Sequence, residues 1–152
     1  MSIKELEDEL DTFSRKNGMA GFIYNPMVDE CLSLTYEQMS KMDREECCKR
    51  AYILAQYGLF IQKQINREAA KLSWLDENIS RIVAKECDNY GDKFVKYEVK
   101  RDLVLANNTH AEELSTVARM CRAKMKDFEF IASNIKFMSS ILIDLNSSKW
   151  TR

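Results

Sequence analysis

The side chains in this sequence that could act on a ligand are cations interleaved with aromatic rings. Lys93, Lys96 and Lys100 recur at i, i+3 and i+7, which on a helix sets three ammonium groups on one face, with Arg101 beside them and Phe94 and Tyr97 interleaved. Arg81 and Lys85 stand one helical turn apart a little earlier in the chain. A second cluster is Arg119, Arg122, Lys124 and Lys126, and Asn66-Arg67 and Lys71 precede Trp74 by one or two turns, where a cation can lie over the indole. Cations with exposed rings suit sequence-tolerant binding of single-stranded nucleic acid, because phosphates displace counterions and bases stack on the rings. The same residues also read as ordinary solubilising charge, interrupted by Glu86, Asp88, Asp92, Glu98 and Asp102. Both readings stay open at this level.

Catalytic chemistry has little to draw on. His110 is the single histidine, and it follows Thr109 in what reads as the solvated first turn of a helix. Four scattered glycines form no phosphate-cradling loop, and no nucleophile-elbow or dinucleotide pattern occurs. A bundle-type di-metal site needs Glu-x-x-His, and no glutamate stands three residues before His110. Cys31, Cys47, Cys48, Cys87 and Cys121 are odd in number and include no C-x-x-C. They read as reduced, small apolar helix residues, with vicinal Cys47-Cys48 the one pair open to redox chemistry. The expectation is a protein that is not an enzyme and carries no cofactor and no metal.

These cations need helices to position them. With four glycines and one proline in 152 residues, the chain lacks the turns a strand-rich fold requires. Ile3, Leu6, Leu10 and Phe13 predict a short acidic helix, broken by Asn17-Gly18, Gly21 and Asn25-Pro26. Thr35-Tyr36-Glu37-Gln38 has the form of a capping box, and Asp43 with Glu46 that of the next cap. Ala51, Leu54, Ile61, Ile65, Leu72, Leu75, Ile79 and Ile82 then make one stripe, missing only at Gly58 and Glu68. It predicts a helix from Arg44 to Asp88, about 45 residues and on the order of 67 Å, stopped at Tyr90-Gly91.

A shorter helix is expected over Asp92–Ala106, ended at Asn107-Asn108. Thr109-His110-Ala111-Glu112 reads as a capping box opening a seven-residue repeat of Leu114, Cys121, Phe128, Ile135 and Leu142. Val117, Ile131, Met138 and Leu145 hold the companion position, with Lys124 the one exception. The fold class expected is all-α: a long antiparallel, coiled-coil-like helical hairpin with a shorter middle helix and an acidic N-terminal arm. The arm is assigned to residues 1–42 and the hairpin domain to residues 43–152.

Charge supports that division. Residues 1–48 hold 5 Lys/Arg against 11 Asp/Glu, and residues 49–152 hold 18 against 13, so an acidic arm precedes a basic body. Hydrophobic residues at 45% and charged residues at 31% provide a real core without disorder. No run approaches the roughly 18 apolar residues needed to cross a bilayer, and the acidic N-terminus does not resemble a signal peptide. A cytoplasmic protein with no membrane partner is expected.

The order of these features resembles the UvsY family of recombination mediators from tailed bacteriophages. The likeness covers residues 45–150: Ala51-Tyr52-x-Leu54-Ala55-x-Tyr57 entering a Lys/Arg-rich helix, the Tyr90-Gly91 break, Tyr97-Glu98, the Asn107-Asn108 interruption, and a last helix through Phe137-Met138, Leu142, Leu145-Asn146 and Trp150. The resemblance implies an oligomeric single-stranded-DNA-binding protein that helps load a recombinase onto strands coated by a single-strand-binding protein. It places DNA contacts just before the Tyr-Gly break, here Ser80-Arg81-Ile82-Val83-Ala84-Lys85-Glu86, so Arg81 and Lys85 carry over. Glu86 within that stretch, and a chain that stops soon after Trp150, depart from the family pattern. With Lys93, Lys96, Tyr97, Lys100 and Arg101 these residues make up the expected interface. Two other readings use the same helices: a protein-binding adaptor or inhibitor of a nucleic-acid-binding protein, and a coiled-coil spacer.

Overall fold

Local caps decide where the helices begin. The computed structural model describes residues 25–148, together with Asp8 and Thr12. The acidic helix expected over Ile3–Phe13 lies outside the described residues, apart from Asp8 and Thr12, which are helical. Helix α1 (Pro26–Leu32) starts at Asn25, whose side-chain oxygen accepts from the Met27 and Val28 amides at 3.1 and 3.4 Å. Pro26 fills the first turn, where a missing N–H costs nothing. Asn25-Pro26, expected as a break, is a helix start.

Helix α2 (Tyr36–Lys41) opens on the expected capping box. Thr35 Oγ1 accepts from the Gln38 amide at 3.2 Å and Gln38 Oε1 accepts from the Thr35 amide at 2.8 Å. Helix α3 (Arg44–Glu86) runs for 43 residues from Asp43, whose Oδ1 accepts the Glu46 N–H at 2.8 Å. It ends in a 3₁₀ turn, Cys87–Asn89, and at Gly91, which has φ +104°. A Cβ at Gly91 would also meet Val95 Cγ2 at 2.9 Å, so both conformation and space demand glycine there.

The middle helix, α4 (Tyr97–Asn107), starts five residues later than the sequence pattern suggests. Residues 92–95 are used instead in a turn that closes when the Val95 N–H donates to the Asp92 carbonyl at 3.1 Å. Lys96 then takes the cap position and makes no side-chain cap bond, having no acceptor to offer. Helix α5 (Thr109–Ser148) also corrects the sequence: its cap is Asn108, not Thr109. Asn108 Oδ1 accepts from the Ala111 amide at 3.0 Å while its Nδ2 donates to Glu86 Oε1 at 2.7 Å. An amide can do both at once and a hydroxyl in a first turn cannot reach both, so one residue ties the ends of α3 and α4 to the start of α5.

The chain divides into two compact units, and α3 and α5 each contribute to both. One comprises Met1–Ile65 with Lys126–Arg152, the other Asn66–Met125. In the first, Val28, Cys31 and Met39 from the short helices share a core with Ala51, Leu54, Tyr57, Ile61, Ile135 and Leu142. Arg50, mostly buried, holds α1 to α3 by donating to Glu30 at 2.8 Å and Glu46 at 2.7 Å. Burial alone would lower its proton affinity, but the hydrogen bonds and charges of those two carboxylates outweigh it and raise the guanidinium pKa. Asn146 Nδ2 donates to Cys48 Sγ at 3.2 Å, and Ile135 faces Gly58, so here α3 and α5 run antiparallel.

The second unit closes around Leu75, Ile79, Val83, Val104, Leu114, Ala118 and Cys121. Arg122 Nη2 donates to both oxygens of Asp76 at 2.6 and 2.9 Å, which with the Asn108–Glu86 bond gives the same antiparallel sense. The fold is all-α, with paired long helices and a short middle helix. Leu114, Cys121, Ile135 and Leu142 of the heptad are buried, whereas Val117 of the companion position is exposed. All five cysteines are free, and Cys31, Cys47 and Cys121 are buried. No helix of the described residues is long and apolar enough to cross a membrane.

Candidate nucleic-acid interface

All seven residues of the expected interface fall in the Asn66–Met125 unit, on three different elements. Arg81 and Lys85 are exposed on the last turns of α3, and Arg81 Nη2 donates to Glu77 at 2.5 Å, one turn back. Lys93 is exposed in the 92–95 turn and Lys96 caps α4, so the three lysines do not share a helix face. The i, i+3, i+7 argument fails because the first of the three precedes the helix. Lys100 and Arg101 lie within α4 and are half-buried along their stems. Helix α4 touches the 3₁₀ turn that ends α3.

The rings behave differently from core aromatics. Phe94 is 97% exposed and Tyr97 55% exposed, in a stretch where residues 93–101 hold four cations and one carboxylate. A phenyl ring left wholly in water between two lysines contributes nothing to folding. It is available for stacking.

Arg101 is the one expected residue that joins cations from another helix. With Arg119 and Arg122 of α5 it lines a cleft of about 400 Å³ that also contains Asp102, Glu112 and Ser115. Arg119 Nη2 donates to Thr116 Oγ1 at 3.1 Å, Arg122 is held by Asp76, and Arg101 makes no ion pair among the described residues. The sequence shows Arg119 and Arg122 as a separate cluster, since nothing local says that α4 lies across them. The other two members of that cluster part company: the Lys124 charge acts on Glu68, and Lys126 belongs to the other unit.

Glu68 is the one charged side chain buried among the described residues, at 7% exposure. Lys71 Nζ donates to its Oε1 at 2.6 Å, while Oε2 has no hydrogen-bond partner in strict geometry. Burial pushes the carboxyl pKa up, but the Lys71 hydrogen bond, the adjoining Cys121 thiol and the charges of Lys71 and Lys124 outweigh it and hold it below the ordinary carboxylate range. The Cys121 thiol is pushed up, first by burial and then by the carboxylate. Of the two interruptions in the apolar stripes, Glu68 on α3 is buried and paired with Lys71, and the charge of Lys124 on α5 is near enough to act on it. Lys71, half-exposed, is paired with Glu68, one turn before Trp74.

No three His, Cys, Asp or Glu side chains converge as a metal site requires among the described residues. The Met1–Ile65 and Lys126–Arg152 unit carries two apolar grooves. One is lined by Met27, Tyr52, Ile53, Tyr57 and Phe60, the other by Ala55, Gly58, Leu59, Ala132, Ile135 and Ile143. No protein-family model, curated protein or solved structure matches the chain.

Proposed function

We propose that this chain is a non-catalytic accessory protein that binds single-stranded DNA, of the phage recombination-mediator type its sequence resembles. In that role it works as a homo-oligomer in the cytoplasm of a host bacterium and helps load a recombinase onto strands held by a single-strand-binding protein. The observation that supports the reading is the 93–101 segment, where Phe94 and Tyr97 stand exposed among Lys93, Lys96, Lys100 and Arg101 beside the Arg81–Lys85 end of α3. Cations supply affinity through counterion release and the rings supply sequence-tolerant stacking. A mobility-shift titration with oligo-dT tests it. Binding at low salt should weaken steeply as salt rises, with a log–log slope of roughly −0.7 for each phosphate neutralised. Failure to shift the oligonucleotide at low salt ends this reading.

A second reading, a helical protein-interaction module with no DNA binding, is favoured by the apolar groove beside exposed Leu59 and Ile143. It predicts a stable protein partner in pull-downs and an oligonucleotide that stays unshifted.

A further inference from the structure

A second cationic face, outside the 93–101 segment, runs along α3 itself. Arg67, Lys71, Trp74, Asn78, Arg81 and Lys85 follow one another at alternating steps of four and three, so they share one side of the helix. The face lies one residue, about 100° of rotation, from the core stripe of Glu68, Leu72, Leu75, Ile79 and Ile82. It spans about 27 Å and carries no carboxylate of its own. Glu68 and Glu77, which flank it, are each spent on a neighbour, Lys71 and Arg81 respectively.

Trp74 stands in the middle of this face, 60% exposed. Its helical neighbours are Ala70, Lys71, Glu77 and Asn78, so on its own helix face the indole stands among small and polar side chains. Asn78 folds back, its Nδ2 donating to the Trp74 carbonyl at 2.8 Å. Lys71 is turned toward the buried Glu68 and Arg81 toward Glu77, so among the described residues no cation or second ring covers the indole. A bare indole with cations a turn or two away on both sides fits a planar, anionic polymer. A protein partner would require further apolar surface around the ring, which this face lacks.

We propose that Trp74 is a base-stacking residue. A single-stranded nucleic acid tracks the Arg67–Lys85 face with phosphates at Arg67, Arg81 and Lys85, and one base lies on the indole. This rests on the single-strand-binding reading above, extends it along α3, and makes Trp74 and Arg67 contacts that the 93–101 segment does not supply.

The test uses the full chain with Trp150→Phe, leaving Trp74 as the only tryptophan. Titration with oligo-dT at low salt should quench its fluorescence to saturation, and heparin, a polyanion without bases, should not. Trp74→Ala should weaken oligo-dT binding by roughly 5- to 150-fold, as loss of one base–aromatic stack does, with the helical circular dichroism unchanged. Trp74→Phe should recover most of the affinity. Oligo-dT that shifts the protein without quenching Trp74, or heparin quenching as strong as that by oligo-dT, overturns the stacking proposal and leaves the single-strand reading in place. No shift of the parent protein by oligo-dT overturns both.

Discussion

Glu68 occupies a position where the apolar stripe of α3 calls for leucine, and its environment makes it a pH sensor of stability. Burial opposes its charge, yet Lys71, Cys121 and Lys124 together hold the carboxyl below its ordinary value. The unfolded chain therefore takes up that proton more readily than the folded one. The stabilisation is complete above the ordinary glutamate value, about 4.3, and is lost as pH falls from there through the lower folded value. Glu68→Gln should flatten the acid limb of a stability-against-pH curve measured by urea unfolding. An acid limb unchanged by that substitution would show that Glu68 is not its source. Lys71→Met should leave the buried carboxylate with one hydrogen bond fewer. The half-exposed ammonium discounts the cost from that of a fully buried pair to about 1–3 kcal/mol at neutral pH.

At the scale of the element, the two described glycines make opposite predictions. Gly91 holds φ +104° with Val95 Cγ2 where a Cβ would go, so Gly91→Ala should destabilise the junction of α3 and α4 by about 1–3 kcal/mol. Gly58 lies inside α3 and a Cβ there would meet Ile135 at an ordinary 3.6 Å. Gly58→Ala should therefore stabilise by about 0.5–1 kcal/mol, and thermal unfolding of the pair should move the midpoint in opposite directions. These elements were legible in the sequence where the signal is local: the Thr35 box, the Asp43 cap, the two stripes and the Gly91 stop all depend on residues within a turn or two. The signals that misled are also local. Lys93 shares helical spacing with Lys96 and Lys100, but it lies in the turn closed by the Val95 N–H on the Asp92 carbonyl, ahead of α4. Thr109 has a capping sequence, but Asn108 reaches Glu86, 22 residues away, and takes the cap. The Arg101–Arg119–Arg122 cleft was illegible because it depends on how α4 lies across α5, which no periodicity specifies.

At the scale of the whole molecule, the apolar stripes run the length of both long helices, yet they supply two cores. Helix α3 contributes residues to both cores. The stripe position after Ile65 is Glu68, a buried carboxylate paired with Lys71, three residues into the Asn66–Met125 unit. Regions with separate cores open as separate cooperative units. Leu54 is fully buried in one core and Ile79 nearly so in the other. Truncating either to alanine should cost about 2–5 kcal/mol, and amide hydrogen exchange shows where that cost falls. Leu54→Ala should lower protection in residues 26–61 and 128–145 while leaving 75–83 and 104–121 near the parent values, and Ile79→Ala should do the reverse. If either substitution lowers protection uniformly along α3 and α5, the two cores open as one. Separate opening also has a consequence for binding. The cationic faces of α3 and α4 belong wholly to the second unit, so Leu54→Ala should leave oligo-dT affinity almost untouched where Ile79→Ala reduces it.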